Sequence, residues 1–439
     1  MEQKIFISKP ATHHLDQNVL QKRIAIAKIG HDIWIDQQEQ SLWPQDLNAK
    51  QINALEQSKD IDKDLFSPFT YVDNINRQDT LNIKEYKITH KNKLKKISIL
   101  MKELADLLEI TDKKHPYVLR AEHVARGEFL QADAYWVPEL DPNLIDIFGA
   151  YESYFDQRFG IKREFESLVM IENKEWKIKS EQVKKKYKQF VQNTLSKHGP
   201  VNSEVLRPIH VGDVLYCGGR LGGGRTVSAK IIPNWLGPRK VFLMMNTSQA
   251  VLEYSVLPIS TLYGVTCTLS DYHDFVVGHE LSHGLPWRFE EKLFGEYKSA
   301  LEEFKADLFS IYFASTQDED FLQGVCSAWL AKGTRAISCL DTKDFGYHQQ
   351  ARTIMINMMT ESQVLQVEND EVVIKYQKIQ DFITSWVPEI IRIIESKSML
   401  QAKDFYNTYM QVPRIQNDIS QQKLEKTRLF VTPELYFEE

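Results

Sequence analysis

The chain has 439 residues, 43% of them hydrophobic, and a formal net charge of −6 from 54 basic and 60 acidic side chains. That length exceeds what one small core needs and predicts two lobes; the mild acidity excludes the strongly basic balance of a nucleic-acid binder. No stretch approaches the ~20 apolar residues of a membrane span, and the first ten residues lack an apolar signal region, so a cytoplasmic protein without a membrane partner is expected.

Residues 12 to 60 carry several helix-like stretches, among them Val19 to Ile29. From Lys91 to Leu108, Leu94, Ile97, Leu100, Met101, Leu104 and Leu107 recur at helical spacing, and the lysines between them form a solvated face. Residues 163 to 197 read as two helical pieces, the second a lysine-rich one from Lys174 to Leu195. The texture changes from Pro208 to Ile259, where Val211 to Tyr216, Thr226 to Ile232 and Val241 to Met245 read as strands between glycines and prolines. The glycine-rich stretch Cys217 to Arg225 lacks the Gly-Lys-Ser/Thr ending of a phosphate loop and is expected to be a loop between strands.

Helices return with Asp271 to Leu285, Phe294 to Ser315, Phe321 to Lys332, His348 to Thr360 and Lys375 to Ser396. The expected segments are 1–155 (the first part of a strand-containing lobe, with helices), 156–205 (helical), 206–262 (strand-rich), 263–403 (the helical catalytic lobe) and 404–439 (a tail that packs back). Together these predict a helix-rich α+β fold of two lobes with a cleft. Cys217, Cys267, Cys326 and Cys339 make no CxxC pair and no disulfide framework, so buried free thiols are expected.

The chemistry is concentrated in His279-Glu280-Leu281-Ser282-His283. Positions four apart share one face of a helix, so both imidazoles can reach one metal ion, and Glu280 then stands beside a water on that metal. Such a site wants a third protein ligand and an open fourth position. Glu303, in Leu301-Glu302-Glu303-Phe304-Lys305-Ala306-Asp307, is the candidate. Asp307, one turn further, can hold the spare ring N–H of a histidine ligand and favours Glu303. Glu302 points ~100° away on the same helix and is either the alternative ligand or an outer partner. Imidazole and carboxylate ligands suit zinc, one per chain, although manganese or cobalt can substitute.

These paired stretches resemble the dipeptidyl peptidase III family of zinc peptidases, in which the second glutamate of the downstream motif binds zinc; the resemblance implies Glu303 as ligand. Phe148-Gly149-Ala150-Tyr151-Glu152-Ser153-Tyr154, continuing through Phe159 to Glu166, is similar to that family's Glu-Ser-Tyr segment. The likeness implies that Tyr154 stabilises the tetrahedral intermediate and that Glu152 contacts substrate. His348-Gln349-Gln350-Ala351-Arg352 resembles the family's His-x-Gln-Ala-Arg, implying His348 at the substrate or transition state with Arg352 in support. Asn234, after Ile232-Pro233, matches a cleft asparagine more loosely.

The main family has one more residue between its histidines. The plain spacing here looks like the divergent branch of plant and bacterial proteins, some of them fused to Nudix domains. The implied function is zinc-dependent hydrolysis of peptide bonds in oligopeptides, with release of amino-terminal dipeptides. The alternatives are a zinc endopeptidase acting on a specific protein and a catalytically silent relative that binds peptides.

Overall fold

The computed structural model describes residues 4–43, 63–73, 82–138, 140–152, 156, 161–201, 206–219, 229–232, 240–338, 346–430 and 434–437. The chain divides into two compact units, neither of them continuous in sequence. One comprises residues 5–174, 210–247 and 434–439; the other comprises 1–4, 175–209 and 248–433.

The first unit is built on a five-stranded sheet. Its strands are β4 (Leu144–Glu152), β5 (Glu164–Glu172), β6 (Ile209–Gly219), β7 (Ala229–Ile232) and β8 (Lys240–Met244), in the order β4-β5-β6-β8-β7. The first three (chain-order) strands, β1 (Lys4–Ile7), β2 (Thr70–Asp73) and β3 (Asn82–Glu85), belong to small two-stranded sheets. The helices α1 (Gln17–Gln38), α2 (Lys91–Leu107) and α3 (Pro116–Arg126) supply Ile26, Leu94, Leu104 and Tyr117 to a core that also holds Phe148, Phe165, Val169 and Leu215. The other sheet face carries Ile145, Ile147, Leu168, Met170 and Val214, packed with Trp136 and Phe242.

Strand β5 corrects the sequence reading, which took residues 163 onward as helical. Its alternate side chains enter two different cores, so the strand is buried on both faces and reads as an unbroken apolar run. Periodicity cannot separate such a run from a buried helix. Its one internal charge, Glu166, is buried and paired with Lys230 of β7, as a charge sequestered from water must be. The lysine-rich helix does form, as α4 (Lys174–Asn193). Strands β6, β7 and β8 lie where the apolar runs place them. The chain turns helical at Met245, however, so the stretch to Ser260 is not strand but helix with a π turn at Leu252–Val256. Of the glycine-rich stretch expected to be a loop, Cys217 to Gly219 end β6 and residues 220 to 225 lie outside the described residues.

The second unit is helical. Its principal helices are α5 (Leu269–Ser282), α6 (Lys298–Ser315), α7 (Glu319–Ile337), α8 (Tyr347–Glu361) and α9 (Ile379–Ser396). α5 begins at a reciprocal cap in which the Thr268 side chain accepts from the Asp271 N–H and Asp271 accepts from the Thr268 N–H. Between α8 and α9 lies a hairpin that the helical reading passed over: β9 (Leu365–Glu368) pairs with β10 (Glu371–Ile374). Its two turn residues, Asn369 and Asp370, take φ of 52° and 66°, the left-handed backbone that a tight hairpin turn demands and that Asn and Asp tolerate. The final strand, β11 (Glu434–Phe437), returns to pair with β1. Among the described residues Cys217, Cys267 and Cys326 are free thiols, and no helix is long and apolar enough to cross a membrane.

Candidate active site

α5 is buried along almost its whole length, which its apolar stretch Phe275-Val276-Val277 requires. It delivers His279 within the helix and His283 one turn on, immediately past the last helical residue but still in helical backbone (φ −63°, ψ −20°). The two ring Nε2 atoms lie 3.2 Å apart. α6 brings Glu303 to the same point, with its Oε2 3.1 Å from His279 Nε2 and 3.4 Å from His283 Nε2.

The outer partners settle what those atoms present. His279 Nδ1 is 2.7 Å from Asp307 Oδ1, and His283 Nδ1 is 3.2 Å from Glu302 Oε1. A carboxylate accepts, so in the neutral ring each Nδ1 carries the proton and each Nε2 offers a lone pair. Glu303 Oε2 is buried, and no hydrogen bond of acceptable geometry reaches it among the described residues. In that form three electron-pair donors converge, and a cation binding among them displaces any second proton on the rings. Their separations match the ~3.3 Å edges of a tetrahedron built on ~2.0–2.1 Å bonds to zinc. His279, His283 and Glu303 therefore fit a divalent cation, and together they form the one candidate metal group among the described residues.

The electrostatics of the metal-free site pull toward positive charge, which the rings themselves meet by holding a second proton until a cation replaces it. Burial opposes a charged His279, yet the Asp307 and Glu303 carboxylates outweigh it and raise the ring to about 10. His283 is raised in the same way, against its burial, by Glu303 and Glu302. Burial likewise resists a charged Glu302, but Lys305 and His283 hold its carboxyl down to about 2. Three carboxylates around two imidazoles create a place that favours added positive charge.

Glu280 follows His279 and is half-buried, and no hydrogen bond or ion pair engages its carboxylate among the described residues. His348, at the start of α8, is 58% exposed with Nδ1 3.0 Å from Glu303 Oε2. Arg352, one turn on, is buried with Nε 4.0 Å from Asp307 Oδ2. Of the other expected residues, Glu152 ends β4 in the sheet-containing unit and its side chain lies outside the described set, as do Tyr154 and Asn234.

Helix packing holds the donors in register. A Cβ on Gly278 would lie 2.6 Å from Ser310 Oγ on α6, and that hydroxyl is itself committed to the Phe275 carbonyl. Gly278→Ala should therefore push α5 from α6 at a cost of about 1–3 kcal/mol, seen as a lower unfolding midpoint together with weaker metal binding. An unchanged midpoint would show that the interface has slack.

Two neighbouring features have structural rather than chemical roles. His273 bridges Ser180 Oγ and Asp274 Oδ1, each at 2.8 Å, the order of a hydrolytic triad. Ser180 is 0% exposed and also donates to the Trp176 carbonyl, so the arrangement ties α4 to α5 and offers no nucleophile. Trp287 and Phe289, just beyond α5, are buried in packing against Phe309 and Phe294.

Against solved structures, the whole chain superimposes on a structure of DPP III from Caldithrix abyssi with a TM-score of 0.80, covering 98% of that chain at 18% identity. The fold is that of dipeptidyl peptidase III. A dipeptidyl-peptidase III structure from Corallococcus sp. strain EGB matches 97% of this chain and 92% of its own, with a TM-score of 0.75 and 17% identity. By sequence, Nudix hydrolase 3 of Arabidopsis thaliana is 24% identical over 335 residues, 68% of this chain and 42% of that protein. The match thus spans less than half of that relative's length. No family model matches.

On this dipeptidyl peptidase III scaffold, three residues around the donors escaped the sequence reading. Trp329 of α7 donates from Nε1 to Asp307 Oδ2 at 3.2 Å. Arg207 donates to the His283 carbonyl at 3.1 Å, as a cation at a helix C-terminus does. Lys305 donates to Glu302 at 2.7 Å. Only Lys305 left a signal, being the single cation inside an acidic motif on a helix with apolar flanks.

Proposed function

We propose that the protein is a zinc-dependent peptidase acting on oligopeptides. The observation that carries this reading is the convergence of His279 Nε2, His283 Nε2 and Glu303 Oε2 at 3.1–3.4 Å, with no hydrogen bond satisfying the carboxylate oxygen. The dipeptidyl peptidase III fold supports it. Zinc held there supplies Lewis acidity toward a carbonyl and brings the pKa of water toward neutrality.

Every other step falls to side chains. Glu280, unpaired and beside the ligands, takes the proton of the attacking water and returns it to the leaving amine. His348, mostly exposed and 3.0 Å from Glu303, donates to the substrate carbonyl as charge develops on its oxygen. Asp307 and Glu302 fix the two ring orientations, and Arg352 supports Asp307. The parts given to Tyr154 (oxyanion donor), Glu152 and Asn234 (substrate contacts) rest on sequence resemblance alone.

The test is metal content of the purified protein, with cleavage of a dipeptidyl arylamide and of an amino-terminally blocked peptide, each with and without chelator. One zinc per chain and chelator-sensitive cleavage are expected. Arylamide cleavage identifies removal of amino-terminal dipeptides, and cleavage of the blocked peptide identifies an endopeptidase. A protein that takes up no zinc even when the ion is supplied would overturn the reading.

A further inference from the structure

Lys305 has no part in the chemistry above, yet it is 0% exposed and lies two residues beyond Glu303. A sequestered ammonium is costly unless its donors are well placed, and an apolar residue of similar size would fill the same space without that cost. The donors of Lys305 are well placed. Nζ reaches Glu302 Oε1 at 2.7 Å and the Trp287 carbonyl at 2.9 Å. Glu302 in turn accepts from His283 Nδ1 at 3.2 Å and, through Oε2, from the Phe289 N–H at 3.1 Å. An unbroken polar path therefore runs from Lys305 through Glu302 to the ring of His283.

The two histidines differ in what they need. His279 stands inside α5, its backbone held by the helix, and Asp307 behind it is steadied by the neutral indole of Trp329. His283 stands past the last helical residue, where a helix end has lost its regular partners. The chain after it, through Trp287 and Phe289, is irregular.

We propose that Lys305 is a positioning residue for the metal centre: a buried strut that fixes Glu302 and the chain following α5, and so aims His283 Nε2. The proposal rests on the metal-centre reading, and its main effect is on how fast the ion leaves. Lys305→Met removes the charge and the donors while keeping the length. In the full-length protein stripped of metal, zinc affinity is measured by competition with a chromophoric chelator. The release rate is measured by transfer to excess chelator, and urea unfolding of the metal-free form runs alongside.

Zinc affinity should fall about 10–100-fold, the usual cost of losing an outer partner, chiefly through faster release. Glu302→Gln should give a similar loss. The double variant should lose no more than the worse single one, because both changes break the same path. Lys305→Arg should recover most of the affinity. Wild-type affinity and release in Lys305→Met, or losses that simply add in the double variant, would overturn the proposal; a change in urea stability alone would mark Lys305 as merely structural. Lys305→Gln carries the same test if the methionine variant does not fold. A wild-type protein that binds no zinc refutes the metal centre itself, a different failure.

Discussion

Replacing Glu280 by glutamine should lower peptide turnover by about 10²–10⁴-fold, the range assigned to a positioned proton-transfer group, while zinc content stays at the wild-type level. The two halves of that expectation come from separate observations. Glu280 is not among the converging donors, so the amide need not disturb the metal. Its carboxylate is half-buried and unpaired among the described residues, so no neighbour has to rearrange when its charge is removed. The side chain keeps its volume and loses only its ability to hold a proton. Steady-state turnover and metal analysis on the same preparation check the two halves together. Near-normal turnover would take Glu280 out of the mechanism; loss of zinc would make it a structural member of the site.

Glu303→Ala should do the opposite, abolishing turnover by releasing the metal. Its Oε2 stands within 3.4 Å of three ring nitrogens, and none of them is positioned to satisfy it by hydrogen bonding. Removing that oxygen leaves two imidazoles, too few for a catalytic zinc site, which takes three protein ligands. Affinity should therefore drop well beyond the ~10–100-fold expected for Asp307→Asn, which perturbs only an outer partner. Chelator competition on both variants gives the comparison. If Glu303→Ala holds zinc as tightly as the parent does, the third ligand is another group, and His348, 3.0 Å from Glu303, is a candidate.

The motif spacing made the donor cluster legible before any coordinates. Two histidines four apart and an acid pair four apart on a following helix can meet only if the helices pack side by side, and the apolar residues Ala300, Phe304, Leu308 and Ile311 show where. Asp307, four residues on, favoured Glu303 over Glu302; the packing of α6 on α5 sends Glu302 to the Nδ1 of His283 and Glu303 to both Nε2 atoms. Strand β5 was illegible because burial on both faces erases alternation. The β9–β10 hairpin was hidden between long helices, although Asn369-Asp370 is the turn dipeptide that should have exposed it. Arg207 and Trp329 left no local trace, since each reaches the site from a distant segment. Lys305 was in view inside the Leu301 to Asp307 stretch, but nothing in that stretch showed that the lysine is fully buried.

The donors' closeness along the chain has a consequence for folding. Twenty-four positions separate His279 from Glu303, so an ion joining them closes a loop whose entropy cost is only roughly 3 kcal/mol by logarithmic length scaling. Helices α5 and α6 can meet early, through local contacts, before the far-flung strands of the sheet find one another. Free zinc at a thousand times its dissociation constant would add about 4 kcal/mol to the native state. That increment falls on the unit of residues 175–209 and 248–433. An ion held there would thus act as a local clamp on the helical unit's stability as well as a reagent, and a shortage of zinc would weaken that unit directly.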